Sequence, residues 1–202
     1  AAGAGPPAPA PPIRRPAPPR LAILGRVRAS DRDPTARAAR VRPFRVLGVD
    51  PGLANLGLGV VEEERREARL VASELVTTSP RMAQAERLLE IRVRLQAFVT
   101  AHAPHALAIE SQFLSRQRDV SFRVGQAVGV VLLTAAELGL SVHEYGPSQV
   151  KQALVGTGRA DKAQVAFMVR ALLKLPATPK SDHVADALAL ALTHLQSRRV
   201  PG

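Results

Sequence analysis

The order of apolar segments predicts an α/β domain on a mixed five-stranded sheet flanked by helices, behind a disordered N-terminal tail. Three observations carry this: three strand-like runs in succession, two further apolar runs separated by a helical pattern, and three closing helical segments. With 202 residues and 46% hydrophobic content, the chain suffices for one ordinary domain with a real core. The expected boundaries are an Ala/Pro/Arg-rich extension over 1–43, one domain over 44–197 and a C-terminal tail over 198–202.

Up to about Pro43 the sequence is Ala, Pro, Gly and Arg without a sustained period of two or 3.6 residues, the composition of an extended or flexible segment. It reads as a dispensable extension, as a basic arm for DNA phosphates, or as an Arg-rich transit peptide. The formal charge of +11 is concentrated there: ten Arg against Asp31 and Asp33 give +8 up to Arg45 and leave +3 for the rest. Net charge alone therefore does not make the folded part a DNA binder. No apolar run approaches the roughly 20 residues that span a bilayer, and the Leu21-Ala22-Ile23-Leu24 patch stops at Gly25, so a cytoplasmic location is expected. The absence of cysteine excludes disulfides, zinc-thiolate sites and a thiol nucleophile, so a catalytic metal would need oxygen ligands or histidine.

The first strand is Phe44-Arg45-Val46-Leu47-Gly48-Val49, closed by the turn signature Asp50-Pro51-Gly52. Leu56 to Val61 and Leu70 to Thr77 follow as antiparallel strands, and the charged run from Glu62 to Glu67 reads as a solvated hairpin tip. Leu88, Ile91, Leu95, Phe98 and Val99 recur at helical spacing between Arg81 and Ala101, before Pro104. Ala106 to Ile109 form a strand that delivers Glu110. Val120 to Leu138 is a nearly all-apolar helix with Gly125 and Gly129 on one face, suited to the core or to a subunit interface. Ser141 to Tyr145 is a strand, and Gln149–Leu154, Lys162–Leu173 and Asp182–Leu195 complete the helices.

Asp50 and Glu110 each end an apolar strand, where an α/β sheet opens its crevice. The last helix opens with Asp182-His183-Val184-Ala185-Asp186, placing His183 and Asp186 on one face. Crowded carboxylates repel and take up protons unless a cation neutralises them; hard oxygen ligands suit Mg²⁺, and an imidazole leans toward Mn²⁺. Two such ions could activate a water and stabilise the leaving oxygen of a phosphodiester, which makes metal-assisted hydrolysis the reading of these residues. Individually each has a plainer explanation: Asp50 as a turn residue, Asp182 as a helix cap, and His183 as a structural histidine like His102, His105, His143 and His194. Glu110 is harder to explain away, because so apolar a strand end is a costly place for an unpaired charge.

From Phe44 to Leu195 the chain resembles the RuvC family of Holliday junction resolvases. The likeness runs through Gly48-Val49-Asp50-Pro51-Gly52, Ala108-Ile109-Glu110-Ser111-Gln112-Phe113 and Gly125-Gln126-Ala127-Val128-Gly129-Val130. It continues in Tyr145-Gly146-Pro147-Ser148-Gln149-Val150-Lys151-Gln152, Gly156-Thr157-Gly158, Lys162-Ala163-Gln164-Val165, Met168-Val169, Leu172-Leu173-Lys174-Leu175-Pro176 and Ala185-Asp186-Ala187-Leu188-Ala189. The resemblance implies an RNase H-like homodimer that nicks two strands of a four-way junction symmetrically, leaving 5′-phosphate and 3′-hydroxyl ends, in recombination and repair beside the RuvAB branch-migration complex. It places the metal site, with two Mg²⁺ replaceable by Mn²⁺, on Asp50, Glu110, His183 and Asp186. Asp182 is the alternative acid at the third position, and His183 keeps the family's spacing to the last Asp. Phe113 falls where an aromatic reaches the junction centre, and Lys151 and Lys162 fall on phosphate-binding positions. Arg116, Arg118 and Arg123 are expected to add phosphate contacts.

Two other functions compete. Asp50-Pro51-Gly52 followed by Leu56-Gly57-Leu58-Gly59 also resembles the first phosphate loop of sugar kinases and actin-like ATPases, although those proteins need two comparable domains. A junction-binding module without nuclease activity is the third reading, opposed by the intact carboxylates.

Overall fold

The computed structural model describes residues 43–111 and 118–198, and of residues 118–121 the backbone alone. The expectations for residues 1–42 and 199–202 lie outside the described residues, as do those for Phe113, Arg116 and the side chain of Arg118.

The elements run β1 (Phe44–Asp50), β2 (Asn55–Glu64), β3 (Glu67–Thr77), α1 (Gln84–His102), β4 (Ala106–Glu110), α2 (Arg118–Glu137), β5 (Ser141–Tyr145), α3 (Pro147–Val155), α4 (Lys162–Leu172) and α5 (Asp182–Ser197). The strands form one mixed sheet in the order β3-β2-β1-β4-β5. β1 pairs antiparallel with β2 and parallel with β4, and β4 pairs parallel with β5. The expected order and sheet type are therefore present.

Side chains alternate across the central strands, as the pleat requires. Leu47 and Val49 of β1, Leu56, Leu58 and Val60 of β2, and Leu107 and Ile109 of β4 bury into one core with α1 and α2. Val46, Val61 and Ala108 face the other core, with Leu188, Leu192 and Leu195 of α5 and with α3 and α4. α5 lies over three small residues: a Cβ on Gly48 would fall 1.8 Å from the Ala187 carbonyl oxygen, one on Gly57 2.0 Å from that of His183, and one on Gly59 2.5 Å from Leu188 Cδ2. This close seating brings the first turn of α5 over the ends of β1 and β2.

The charged hairpin departs from the sequence expectation. β2 extends through Glu64, and Glu62 is 8% exposed, accepting from Arg45 Nε at 2.7 Å and from Arg69 Nη2 at 3.3 Å. Only the tip is a solvated turn, made by Arg65 and Arg66 with φ of 52° and 70°. α3 begins earlier than expected because Pro147 supplies its first position and the Gln149 side chain accepts from Gly146 N at 2.7 Å. Gly125 and Gly129 have nothing within 4 Å of an added Cβ, so the close backbone approach expected on that face of α2 is absent within the described residues of this chain.

Candidate active site

The parallel register places Val49 beside Ile109, so Asp50 and Glu110 follow as neighbours at the carboxyl ends of β1 and β4. Both lie on the face covered by α5, which adds Asp186 from its first turns. Asp50, Glu110 and Asp186 line one cleft together with Lys151, Lys162, Pro147 and Val150. The loop after Asp50 is held in place: the Thr78 hydroxyl donates to Leu53 O at 2.5 Å and accepts from Arg87 Nε at 2.8 Å, and Thr78 N donates to Ala54 O at 3.0 Å. On the other strand, Ser111 N donates to Tyr145 O at 2.9 Å, fixing the chain just beyond Glu110.

Two helix starts bring in the cations. In α4 the Asp161 carboxylate accepts from Gln164 N at 2.8 Å, and the Gln164 side chain accepts from Asp161 N at 2.9 Å. This capping box puts Lys162 in the first turn, where the helix dipole disfavours a cation. Its nearest compensation is Asp186, whose Oδ2 is 3.5 Å from Lys162 Nζ. Lys151 reaches the same cleft from α3.

Burial, and then the charges of Asp50 and Asp186, push the Glu110 carboxyl above its ordinary pKa; Lys162 opposes the rise. Burial also raises Asp186, opposed by the charge and hydrogen bond of Lys162 and reinforced by Asp50 and Asp182. Such mutual destabilisation of carboxylates is what a bound cation would relieve, and the oxygen-rich donor set fits a hard divalent ion. Among the described residues no three His, Asp or Glu side chains are gathered into a ready coordination shell. Holding an ion here would therefore draw the acids together and release Lys162 from Asp186.

His183 Nδ1 lies 2.7 Å from Asp50 Oδ2. The carboxylate oxygen accepts in this contact, so the shared proton belongs to Nδ1. Asp182 is exposed in the same turn, where Ser181 is the N-cap. The structure thus brings Asp50, Glu110, Asp186, Lys151 and Lys162 to one cleft and attaches His183 to Asp50, while Asp182 stays at the surface. The apolar cleft wall of Pro147, Val150, Val165, Ala189 and Leu190 was not anticipated, since only the packing of α3, α4 and α5 assembles it.

The family model described as crossover junction endodeoxyribonuclease RuvC matches residues 46–194. The chain belongs to the RuvC family. The protein of that name from Thermus thermophilus is 48% identical over 152 residues, covering 74% of this chain and 92% of the relative. The RuvC of a Roseiflexus species is 49% identical over 150 residues, covering 74% and 89%. The solved structure of Thermus thermophilus RuvC in complex with a Holliday junction substrate superposes with a TM-score of 0.74 at 46% identity, covering 77% of this chain and 95% of that one. The RNase H-like fold and nuclease class of the RuvC family are therefore those of this chain. Gly57 and Gly59, which the kinase-like reading takes as part of a phosphate loop, instead lie packed beneath His183 and Leu188 of α5.

Proposed function

We propose that the chain resolves four-way Holliday junctions by paired, symmetric, metal-dependent phosphodiester hydrolysis, leaving 5′-phosphate and 3′-hydroxyl ends, in homologous recombination and DNA repair. The observation that carries this reading is the convergence of Asp50, Glu110 and Asp186 in one cleft bordered by Lys151 and Lys162, on a RuvC-family scaffold. Residues 44–197 are the resolvase domain, placed in the cytoplasm. Among the described residues, no helix is long and apolar enough to cross a membrane.

Asp50, Glu110, His183 and Asp186 would hold the metal. Two Mg²⁺ ions, or Mn²⁺ in their place, would supply an activated water and stabilise the leaving oxygen. The protein's part is to gather the anionic ligands and orient the phosphate. Lys151 and Lys162 bind phosphate oxygens, and Lys162 exchanges Asp186 for DNA as it does so. Phe113 stacks at the junction centre, and Arg116 and Arg118 contact the backbone. The deciding experiment incubates a synthetic mobile four-way junction and a matched linear duplex with Mg²⁺ or Mn²⁺. Symmetric paired nicks on the junction alone are expected, with binding but no cleavage in chelator; cleavage in chelator would overturn the metal assignment.

A two-fold junction calls for a two-fold protein, and the exposed apolar side chains of α1 and α2 support that reading. Leu89 and Val93 of α1 and Phe122, Leu132 and Leu133 of α2 are exposed, beside the open Gly125 and Gly129. This apolar face is the proposed homodimer interface, and the RuvAB branch-migration complex is the proposed further partner. Leu133→Glu, at a side chain 57% exposed, is expected to leave the fold intact and convert the dimer to a monomer in sedimentation. Paired nicking should then fall to single nicks, and an unchanged sedimentation coefficient would move the interface elsewhere.

A further inference from the structure

We infer that Gly57 is a positioning residue of the active site: its missing side chain lets the first turn of α5 settle on β2 and so sets the contact between His183 Nδ1 and Asp50 Oδ2. This inference rests on the nuclease reading for its catalytic consequence, but the contact itself is testable without metal.

Gly57 lies directly opposite Asp50 in the β1–β2 register. An added Cβ would stand 2.0 Å from the His183 carbonyl oxygen, 2.4 Å from its carbonyl carbon and 3.1 Å from its Cβ. Gly57 is not among the residues with positive φ, so alanine suits its backbone and the obstacle is space alone. The obstructing atoms are main chain and cannot rotate away. Separation to the 3.0 Å that real Cβ atoms respect requires the His183 carbonyl to retreat by about 1 Å. The rest of α5 cannot follow freely, because Ala187 rests on Gly48 and the residues from Ala187 to Leu195 are buried. The displacement is therefore concentrated in the turn that carries His183 and Asp186.

Gly59 is the internal comparison. Its added Cβ would meet first the Leu188 side-chain atoms Cδ2 and Cγ, at 2.5 and 2.9 Å, the far end of a flexible chain on the same helix. Alanine there disturbs packing without pressing on the main chain of the first turn.

The test compares the full-length wild type with Gly57→Ala and Gly59→Ala. The first readout is the His183 Nδ1–H signal in imidazole NMR spectra of the metal-free protein. The second pairs the single-turnover cleavage rate with junction affinity in chelator. Gly57→Ala is expected to lose or shift the His183 signal and to slow cleavage about tenfold to a hundredfold, as a displacement near 1 Å can do, with affinity held within about twofold. Gly59→Ala is expected to keep the signal and the rate despite a lower melting temperature. An unperturbed signal with a wild-type rate in Gly57→Ala overturns the inference, as do equal effects in both variants. Should Gly57→Ala fail to fold, His183→Gln in the native glycine background decides: a full cleavage rate means that the orientation of His183 does not matter, and the inference falls. If the wild type does not cut the junction, the nuclease reading fails, and the NMR comparison still judges the contact.

Discussion

Asp50→Asn is expected to reduce junction cleavage by about a thousandfold or more while leaving junction affinity in chelator within about twofold to threefold. The substitution keeps the shape of the side chain and an oxygen that can accept from His183 Nδ1, so the contact at 2.7 Å and the seat of α5 can persist. It removes the anionic charge at the end of β1, a proposed metal ligand whose loss withdraws several kcal/mol of transition-state stabilisation. The phosphate contacts assigned to Lys151 and Lys162 are untouched, which is why binding should survive. The same change has a second consequence. Asp50 is one of the charges raising the pKa of both Glu110 and Asp186, so removing it relieves repulsion within the cleft. The metal-free variant should therefore melt at a temperature no lower than the wild type, the trade expected where function keeps like charges together. Single-turnover cleavage, binding in chelator and a thermal melt check the three parts separately; wild-type cleavage would remove Asp50 from the catalytic set.

Much of this arrangement was legible in the sequence because it is local. A strand ending at Asp50 announces itself by its apolar run and by Pro51-Gly52, and Glu110 by the run that precedes it. His183 and Asp186 share a helix face by spacing alone. The pairing of β1 with β4, which makes neighbours of Asp50 and Glu110, is long-range and was anticipated only as a condition for the site. What stayed hidden depends on several elements meeting. Glu62 reads as one acid in a charged run, and only the register of β2 against β1 shows that Arg45 reaches it. Gly57 and Gly59 could pass for a phosphate loop until α5 is laid over them. The attachment of His183 to Asp50 joins residues 133 positions apart, which no spacing rule reports.

In the sequence His194 is one structural histidine among several, yet its surroundings make it a determinant of acid stability. It is 4% exposed, and its Nδ1 lies 2.7 Å from the Tyr145 hydroxyl. Its ring packs 4.2 Å from that of His143 and 6.5 Å from that of Phe44. Phe44 in turn carries the His105 ring at 4.9 Å on one side and the Arg198 guanidinium 3.3 Å from its centroid. Burial, and then the positive charges of His143 and Arg198, lower the His194 pKa from 6.5 to about 4. A folded-state value below the unfolded one means that the unfolded chain takes the proton first. The stabilisation is thus complete above about pH 6.5 and is lost as pH falls toward 4, by about 3 kcal/mol in all. Glu110 and Asp186 act in the opposite sense, since their raised values let the folded state gain protons as pH falls, but they do so equally in any His194 variant. His194→Phe isolates the histidine. At pH 7 it should be less stable than the wild type by about 1 kcal/mol, the cost of depriving the Tyr145 hydroxyl of its ring partner. Because phenylalanine cannot be protonated, its urea-unfolding free energy should fall less steeply with acid. The two curves should cross near about pH 6 and leave the variant about 2 kcal/mol ahead at pH 4. Parallel curves would mean that His194 takes up its proton as readily in the folded chain as in the unfolded one, and that the packing around it does not hold the ring neutral.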